Sequence, residues 1–347
     1  MGQFLLSRTF ETINARCSLQ SVASAVKKTK DKVSLATAFD TRPFSQKKLC
    51  IGVCAYNEEK NIGLLLERLT TQQDLSTDCE IIVACSGCTD STPEIVKAYR
   101  AVDARIKLII ESERKGKAEA LNNIFKRASG SEVLILTNAD AFPQPGSLGK
   151  LVKALDDSSV GAVAARPVPL STGKYLSSLL VELIWDLHHK ISTLESVKLS
   201  GELCALRPFL VKRIPPNLAT DEPFIEMLIR RQGYKIGYVP DAVVYIRGPE
   251  SLQEIVQHRR RIWTGHLQIQ RMEGFAVSSS DFRRIFSMLV KSFRSNLRKL
   301  HVLALFIAVD LYSYLLARQD IARGRIPFIW ETLKSTKTKL ARNVKDI

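Results

Sequence analysis

Short apolar runs alternate with amphipathic stretches through the first half of the chain. Four runs that each end in small or polar residues predict buried strands, at residues 49–56, 79–84, 106–110 and 133–136. Between them, apolar positions spaced three or four residues apart predict helices that open near 57–59, 91–93 and 116–117. This alternation predicts an α/β fold, with a mostly parallel mixed sheet and helices on both faces.

The second half of the chain is less regular. Its patterns predict strands at 160–165 and 238–245, an extended segment at 201–207, and helices at 175–191, 222–232 and 252–269. Gly233 follows the second of these helices, where a glycine commonly ends a helix. The expected architecture is therefore one α/β domain followed by C-terminal helices.

The stretch 131–145 carries the clearest candidate chemistry. Its buried strand stops at the small, polar residues 137–140, and Pro143 and Pro145 are expected to prevent the strand from continuing. Ligands of open α/β sheets bind at the carboxyl ends of strands, and Asp140 offers the hard oxygen ligand that Mg²⁺ or Mn²⁺ prefers. A polar turn that caps the next helix is the alternative.

The end of the chain is apolar and basic. Residues 281–300 place seven apolar side chains on one helical face and most of six Lys/Arg on the other, a pattern typical of a helix in a membrane interface. Packing on the preceding domain is the alternative. Residues 302–317 contain a single charge, Asp310, but a membrane span needs about 20 apolar residues, so an interfacial or core helix is expected.

The net charge of +16 is concentrated at the two ends of the chain. Residues 1–47 contain eight Lys/Arg against three Asp/Glu, and residues 281–347 contain fourteen against five, which leaves a surplus of two for residues 48–280. A nearly neutral centre argues against a nucleic-acid groove through the domain. Basic ends instead fit an anionic surface such as a lipid leaflet.

The cysteines and the first residues bear on location. The seven cysteines form no even framework, and Cys85 and Cys88 have C-x-x-C spacing without a second pair, so reduced thiols in the cytosol are expected rather than zinc. Residues 1–47 lack the unbroken apolar core of a signal peptide and are interpreted as a basic, partly ordered leader.

Five partial motifs follow one another along the chain. Four of them, each at a predicted strand or helix end, are Ala55-Tyr56-Asn57-Glu58, residues 84–92 with Ser86 and Asp90, Gly116-Lys117 followed by 120–122, and Asn138-Ala139-Asp140. The fifth is residues 220–222. Two further stretches accompany them, Ser200-Gly201-Glu202 and residues 257–263.

In this order the motifs resemble those of the family 2 glycosyltransferases of the GT-A fold, over roughly residues 48–268. The resemblance implies inverting transfer of a sugar from a nucleotide-diphospho-sugar, with Mn²⁺ or Mg²⁺ as cofactor. The implied metal ligands are Asp140 and Asn138, which stands where the family has the first acid of its D-x-D motif. The implied donor-binding residues are Ala55, Tyr56, Asn57, Glu58, Ser86, Asp90, Lys117, Asn138, Ala139, Gln257, Arg260 and Arg261.

Thr220-Asp221-Glu222 resembles the family's T-E-D stretch with its two acids exchanged. An acceptor hydroxyl needs a carboxylate to take its proton. Register favours Glu222 as this catalytic base and residue type favours Asp221. We favour Glu222, with Asp221 as the alternative and as a neighbour expected to raise the pKa of Glu222. The resemblance places Gly201, Glu202 and Trp263 on the acceptor side, and Arg260 against the leaving diphosphate.

The sequence therefore predicts three segments: the leader 1–47, a glycosyltransferase domain 48–268 and a helical tail 269–347. The expected function is metal-dependent, non-processive transfer to a hydroxyl of a glycan or lipid-linked acceptor, by an enzyme held peripherally at the cytosolic face of a membrane. Nucleic acid is not an expected partner. Two alternatives are transfer to a polyprenyl phosphate and a non-catalytic membrane-associated scaffold of the same fold.

Overall fold

A computed structural model describes residues 47–72, 78–170, 175–194, 197–277, 300–333 and 335–337. The strands are β1 (Leu49–Ala55), β2 (Cys79–Ser86), β3 (Ile106–Glu111), β4 (Val133–Asn138), β5 (Ala141–Pro143), β6 (Val160–Leu170), β7 (Leu203–Leu206) and β8 (Lys235–Arg247). The helices are α1 (Ile62–Thr70), α2 (Thr92–Val102), α3 (Lys117–Arg127), α4 (Ser147–Ala154), α5 (Tyr175–Leu194), α6 (Glu222–Arg231), α7 (Leu252–Glu273) and α8 (Leu300–Ala322).

The eight strands form one mixed sheet in the order β3-β2-β1-β4-β7-β6-β8-β5. The first four strands in this order are mutually parallel, while β7 is antiparallel to both of its neighbours, β4 and β6. The carboxyl ends of β1, β2 and β4 therefore lie side by side, and the amino end of β7 meets them. This edge of the sheet gathers the predicted motifs, as expected for an open α/β sheet.

Alternate residues of the strands support helices on the two faces of the sheet. Ile51 and Val53 pack with α1, α2 and α4 in one buried cluster. Cys50, Leu134 and Leu136 pack with α3 and α6 in the other. The predicted fold class is confirmed, because a central strand buried on both faces is what its continuous apolar run requires.

Strand β4 ends at Asn138, before Pro143 and Pro145, but a further strand that the sequence did not predict follows it. After a turn at 139–140 the chain forms the three-residue strand β5, which ends at Pro143 and pairs antiparallel with β8. Because β5 is the last strand of the sheet, Pro143 needs no hydrogen-bond partner on its open side. The helix predicted near 57–59 begins later, at Ile62, because residues 56–61 form the loop that follows β1.

Helix α8 lies along α7 and closes a third apolar cluster with α5. Two buried acids of α8 bind arginines of α7: Arg259 donates to Asp310 at 2.6 Å, and Arg260 forms two bonds to Asp320 at 2.7 and 2.6 Å. Among the described residues, one helix, His301–Ala322, is long and apolar enough to cross a membrane, with 33% of its most apolar window buried. The basic amphipathic helix predicted at 281–300 lies almost wholly outside the described residues, as does the leader.

Candidate functional site

A cavity of about 410 Å³ opens at the carboxyl ends of β1, β2 and β4. Strand ends and the start of α3 form one side, and helices α5 and α7 form the other. The sequence-predicted residues that line it are Ala55, Tyr56, Glu58, Ser86, Lys117, Asn138, Ala139, Asp140, Gly201, Glu202, Glu222, Arg261 and Trp263. Five other predicted residues, Asn57, Asp90, Asp221, Gln257 and Arg260, do not line it.

Asn57 and Asp90 brace the two loops beside the cavity. Asn57 bonds through its amide oxygen to the Thr89 N–H at 2.8 Å and through its amide nitrogen to the Thr89 hydroxyl at 3.0 Å. Asp90 accepts from the backbone N–H groups of Glu59 and Thr92, each at 3.0 Å. Asn57 has φ of 51°, a left-handed conformation that asparagine tolerates. The two side chains fix the loops and do not reach the cavity.

Tyr56 and Ser86 bring two unpredicted partners to this side of the cavity. The guanidinium of Arg114 lies 3.9 Å from the centre of the Tyr56 ring, a cation–π arrangement. The Ser86 hydroxyl donates to the Glu111 carboxylate at 2.5 Å. Glu111 ends β3 directly beside Ser86, so the neighbouring strand supplies a carboxylate where Cys85 and Ser86 have none.

Acidic side chains meet at the end of β4. Asn138 donates its amide N–H to Glu202 at 3.0 Å, while Asp140 follows on the turn after the strand. Burial, and then the charge of Asp140, raises the pKa of Glu202 to about 7 and that of Glu58 to about 7. Like charges held this close favour a cation between them. In the described residues no three His, Cys, Asp or Glu side chains form a metal-binding group, so protein atoms supply only part of any coordination shell.

Lys117, the first residue of α3, joins the two candidate bases. Its ammonium nitrogen lies 3.1 Å from the Glu222 carboxylate and 3.3 Å from that of Asp221. Burial alone would lower the pKa of Lys117, but the two carboxylates outweigh it and raise the pKa. The ammonium group of Lys117 is therefore neither solvated nor available to bind a phosphate in this structure, because both acids bind it.

The pKa values of the two acids move in opposite directions. Burial alone would raise the pKa of Glu222, but Lys117 outweighs it and lowers the pKa to about 2. Burial, and then the charge of Glu222, raises the pKa of Asp221. The expectation that Asp221 raises the pKa of Glu222 is therefore wrong, because the nearby Lys117 dominates. Glu222 lines the cavity and Asp221 faces a smaller pocket behind it.

Two glycines allow this close packing. A β-carbon at Gly201 would lie 1.7 Å from a Glu222 carboxylate oxygen, and one at Gly265 would lie 1.8 Å from the Thr220 hydroxyl oxygen. Any larger residue at either position would displace the side chain it meets. The loop at 200–202 and helix α7 thus hold the 220–222 stretch in place.

Of the two arginines of α7 that the sequence predicts at the donor, Arg260 and Arg261, one lines the cavity. Arg260 forms its bidentate ion pair with Asp320 of α8 and points away from the cavity. Arg261 lines the cavity, with its Nε donating to the Ala219 carbonyl at 3.3 Å. The role that the resemblance gives to Arg260 therefore has no support in the geometry, whereas Arg261 does line the cavity. Trp263 lines the cavity with its ring N–H donating to Asp310 at 3.1 Å.

A buried cationic group lies opposite the donor side. Lys198 Nζ lies 3.2 Å from the His266 Nε2, and His258 and His188 line the same wall. Burial lowers the pKa of Lys198 to about 8 and that of His258 to about 3. In the described part of the chain, no acid forms an ion pair with Lys198 or Arg261. The Nδ1 atoms of His266 and His188 are buried without a hydrogen-bond partner.

The last described residues cover the mouth of the cavity. Residues 328–333 line it, Trp330 accepts a bond from Arg114 at 2.7 Å, and the Ser335 hydroxyl donates to Glu254 at 2.7 Å. Lys337 Nζ binds the Tyr56 carbonyl at 2.9 Å and also the Glu58 carboxylate. The sequence gives no signal for this contact, because it joins residues 279 positions apart.

Comparison with known proteins agrees with the motifs and the geometry. Residues 50–195 match the model of a family described as glycosyl transferase family 2. Over these residues the chain is similar to the family 2 glycosyltransferases. The chain is 28% identical over 108 residues to glycosyltransferase AglE of Haloferax volcanii, covering 31% of this chain and 35% of that protein.

Two other relatives extend the comparison. The probable glycosyltransferase YdaM of Bacillus subtilis is 24% identical over 232 residues, 62% of this chain and 54% of that protein. The undecaprenyl-phosphate 4-deoxy-4-formamido-L-arabinose transferase of Photorhabdus laumondii is 30% identical over 112 residues, 32% of this chain and 34% of that protein. The chain thus spans between a third and about half of the length of these relatives.

A solved structure supports the fold over most of the chain. The mannosyltransferase PcManGT of Pyrobaculum calidifontis, solved with GDP-Man and Mn²⁺, superposes with a TM-score of 0.53 at 23% identity. The match covers 89% of this chain and 85% of that one. The glycosyltransferase domain therefore has the GT-A fold, and the similarity extends into the C-terminal helices.

Proposed function

We propose that the protein is a metal-dependent, inverting glycosyltransferase that moves one sugar from a nucleotide-diphosphate donor to an acceptor in the same cavity. The observation that carries the proposal is that one cavity is lined both by Asp140, which suits a cation, and by Glu222, which suits a base. The PcManGT complex with GDP-Man and Mn²⁺ adds support through the shared fold.

The donor side suits a divalent cation bound to a diphosphate. Asp140 and the Asn138 amide offer hard oxygen ligands, and Mg²⁺ in such sites commonly takes one or two carboxylates with the rest from phosphates and water. When bound, the cation neutralises charge on the leaving diphosphate. Arg261 adds a fixed positive charge to the lining of the same cavity.

The nucleoside is expected beside Tyr56 and Ser86, which line the cavity, with Glu111 bound to Ser86 behind them. Ser86 and Glu111 offer a hydroxyl and a carboxylate at adjacent strand ends, and Arg114 packs over the Tyr56 ring. Sugar ring hydroxyls and base N–H groups are donors that such acceptors bind. The donor is therefore a nucleotide whose base and ribose lie against β2 and β3.

At the other side, Glu222 is the group that accepts the proton of an acceptor hydroxyl. Its lowered pKa keeps it ionised at neutral pH, and Gly201 lets its carboxylate reach the cavity wall. A base on the face opposite the leaving group gives inversion in a single displacement.

The experiment that tests the proposed function is a turnover assay with several nucleotide sugars, Mn²⁺ and the purified chain. We expect release of a nucleoside diphosphate from one donor, loss of that release with EDTA, and an inverted anomeric configuration by NMR. Release that is unchanged by EDTA would contradict metal dependence, and retention would contradict the single displacement.

A phosphate acceptor is the second candidate, favoured by the cations Lys198 and Arg261 and by His266 beside Lys198. No acid among the described residues forms an ion pair with either cation, and apolar side chains of α5 and α8, including Ile184, Leu187 and Phe306, line the same cavity. A phosphate on an apolar chain, such as a polyprenyl phosphate, matches both features. One of the relatives is named as an undecaprenyl-phosphate transferase.

We expect Lys198→Met to raise the KM for a short polyprenyl phosphate by about tenfold to a hundredfold, since a hydrogen bond to a charged group contributes about 1.5–3 kcal/mol. Donor binding should not change. Lys190→Met is the matched control, because Lys190 is on α5 and pairs with Asp186 outside the cavity. Equal KM values for Lys198→Met and wild type would rule out this acceptor site.

We also propose a peripheral location at the cytosolic face of a membrane, supported by the surplus of nine positive charges in residues 281–347. Each Lys or Arg near an anionic leaflet contributes about 1 kcal/mol, screened by salt. The protein should sediment with anionic vesicles and not with neutral ones, less so at high salt. Changing Arg283, Arg284, Arg294 and Arg298 to Glu should release it, whereas extraction by detergent alone would indicate that His301–Ala322 is inserted.

A further inference from the structure

The motif at residues 138–140 has an amide, Asn138, at its first position. The neighbouring strand β7 brings a carboxylate, Glu202, opposite that amide. Strands β4 and β7 pair antiparallel with Thr137 opposite Leu203, so the next pair toward the cavity is Asn138 and Glu202. Two bonds fix it: the Thr137 hydroxyl donates to the Glu202 carbonyl at 3.0 Å, and the Asn138 amide donates to the Glu202 carboxylate at 3.0 Å.

The identities of these two residues are complementary. A second carboxylate at position 138 would place two negative oxygens at hydrogen-bonding distance, where like charges repel strongly in a buried site. The amide instead donates to Glu202 and fixes its direction. This end of the cavity therefore has two carboxylates, Asp140 and Glu202. Asp140 follows β4 and Glu202 precedes β7, so they come from two neighbouring strand ends and not from one motif.

Glu202 also differs from the other acid near Asp140. Glu58 is already bound by Lys337 and by the Asn61 amide at 2.8 Å. Within the described residues no Lys, Arg or His forms an ion pair with Glu202. The negative charge of Glu202 at the cavity wall is therefore available to a bound metal cation.

We propose that Glu202 is a carboxylate ligand of the divalent cation, acting with Asp140, and that Asn138 is the residue that positions it. The inference rests on the proposed metal dependence. It moves Glu202 from the acceptor side, where the sequence resemblance places it, to the metal site. It also accounts for the change of the motif's first acid to Asn without loss of the second carboxylate.

The test is Mn²⁺ binding, measured by loss of the free-ion EPR signal, with Mn²⁺ alone and with Mn²⁺ plus inorganic pyrophosphate. We expect Glu202→Gln to weaken Mn²⁺ affinity at least tenfold, since even residues that only support a ligand contribute about 10–100-fold. Glu80→Gln is the matched control, because Glu80 is at the opposite end of β2 and pairs with Arg127 at 3.3 Å.

A double variant makes the test independent of folding. Asn138→Asp combined with Glu202→Gln returns the second carboxylate to the motif position, with a glutamine amide able to donate to it. We expect this variant to recover most of the lost affinity, whereas Asn138→Asp alone should bind Mn²⁺ no better than wild type.

Three results would overturn the proposal. Unchanged affinity in Glu202→Gln would remove Glu202 from the metal site while leaving the proposed function intact. Failure of the double variant to recover Mn²⁺ affinity would show that a carboxylate at position 138 cannot replace the one at position 202. If the wild type itself bound no Mn²⁺ in the presence of pyrophosphate, the metal site and the proposed metal dependence would fail together.

Discussion

Asp140→Ala is expected to reduce sugar transfer by at least about 10²–10³-fold. A cation that neutralises a leaving diphosphate contributes several kcal/mol to transition-state stabilisation, and each 1.36 kcal/mol is a factor of ten in rate. Asp140 is the carboxylate that ends the β4 turn and lines the donor side of the cavity. The measurement is turnover of the preferred nucleotide sugar at saturating Mn²⁺.

The loss should not come from unfolding. The charge of Asp140 repels Glu58 and Glu202, which is why it raises the pKa of both, so its removal relieves repulsion in the metal-free protein. The melting temperature without metal is expected to stay equal or to rise. Asp241→Ala is the control, since Asp241 is an exposed acid of β8 outside the cavity. Undiminished turnover by folded Asp140→Ala protein would exclude the site.

Glu222→Gln is expected to lower transfer to a hydroxyl acceptor by about 10²-fold or more, because the amide keeps the shape but cannot take the proton. Donor binding should persist, since Glu222 is proposed to act on the acceptor and not to bind the cation or the diphosphate. The same variant separates the two acceptor classes. A phosphate oxygen is already ionised, so a phosphate acceptor should lose little activity in Glu222→Gln.

Asp221→Asn is the matched comparison for the base. Asp221 faces the smaller pocket behind Glu222, and both acids bind Lys117, so the variant perturbs the same ion pair without removing the group in the main cavity. Its effect should be smaller than that of Glu222→Gln. If Glu222→Gln were active on a hydroxyl acceptor and Asp221→Asn inactive, Asp221 would be the base instead.

The strands and the order of the motifs were predictable because they depend on local patterns. Continuous apolar runs identify β1 to β4, since a central strand buried on both faces excludes polar residues. The motif residues at their ends then meet, because parallel strands end at one edge of the sheet. Strand β5 was missed for a physical reason, since proline is excluded from central strands but tolerated at an edge such as Pro143.

The rest of the site depends on contacts between distant residues. Arg260 matches the expected motif position, but Asp320, sixty residues later, takes its guanidinium, and only the packing of α8 on α7 shows this. Lys117 matches a phosphate-binding position, yet Asp221 and Glu222 hold it. Lys198 and His266 come from a loop and a helix 68 residues apart, with no motif between them.

Asn138 also depends on a contact with a distant residue, but here the contact supplies a group that the motif lacks. In the sequence it is a weakened metal motif, which left a non-catalytic scaffold as an alternative. In the structure its amide binds Glu202 from the adjacent strand, so the carboxylate missing from the motif is present in the cavity. Antiparallel register between β4 and β7 brings the two together, and register cannot be deduced from either segment alone.

The central claim is that this cavity binds a nucleotide diphosphate through a divalent cation, and calorimetric titration tests it most directly. UDP, GDP, ADP and dTDP would each be titrated into the purified chain with Mn²⁺, with EDTA, and into Asp140→Ala protein. We predict that one nucleotide binds with Mn²⁺, and that EDTA and Asp140→Ala each weaken binding at least tenfold. Binding of no nucleotide, or equal affinity in all three conditions, would contradict the account.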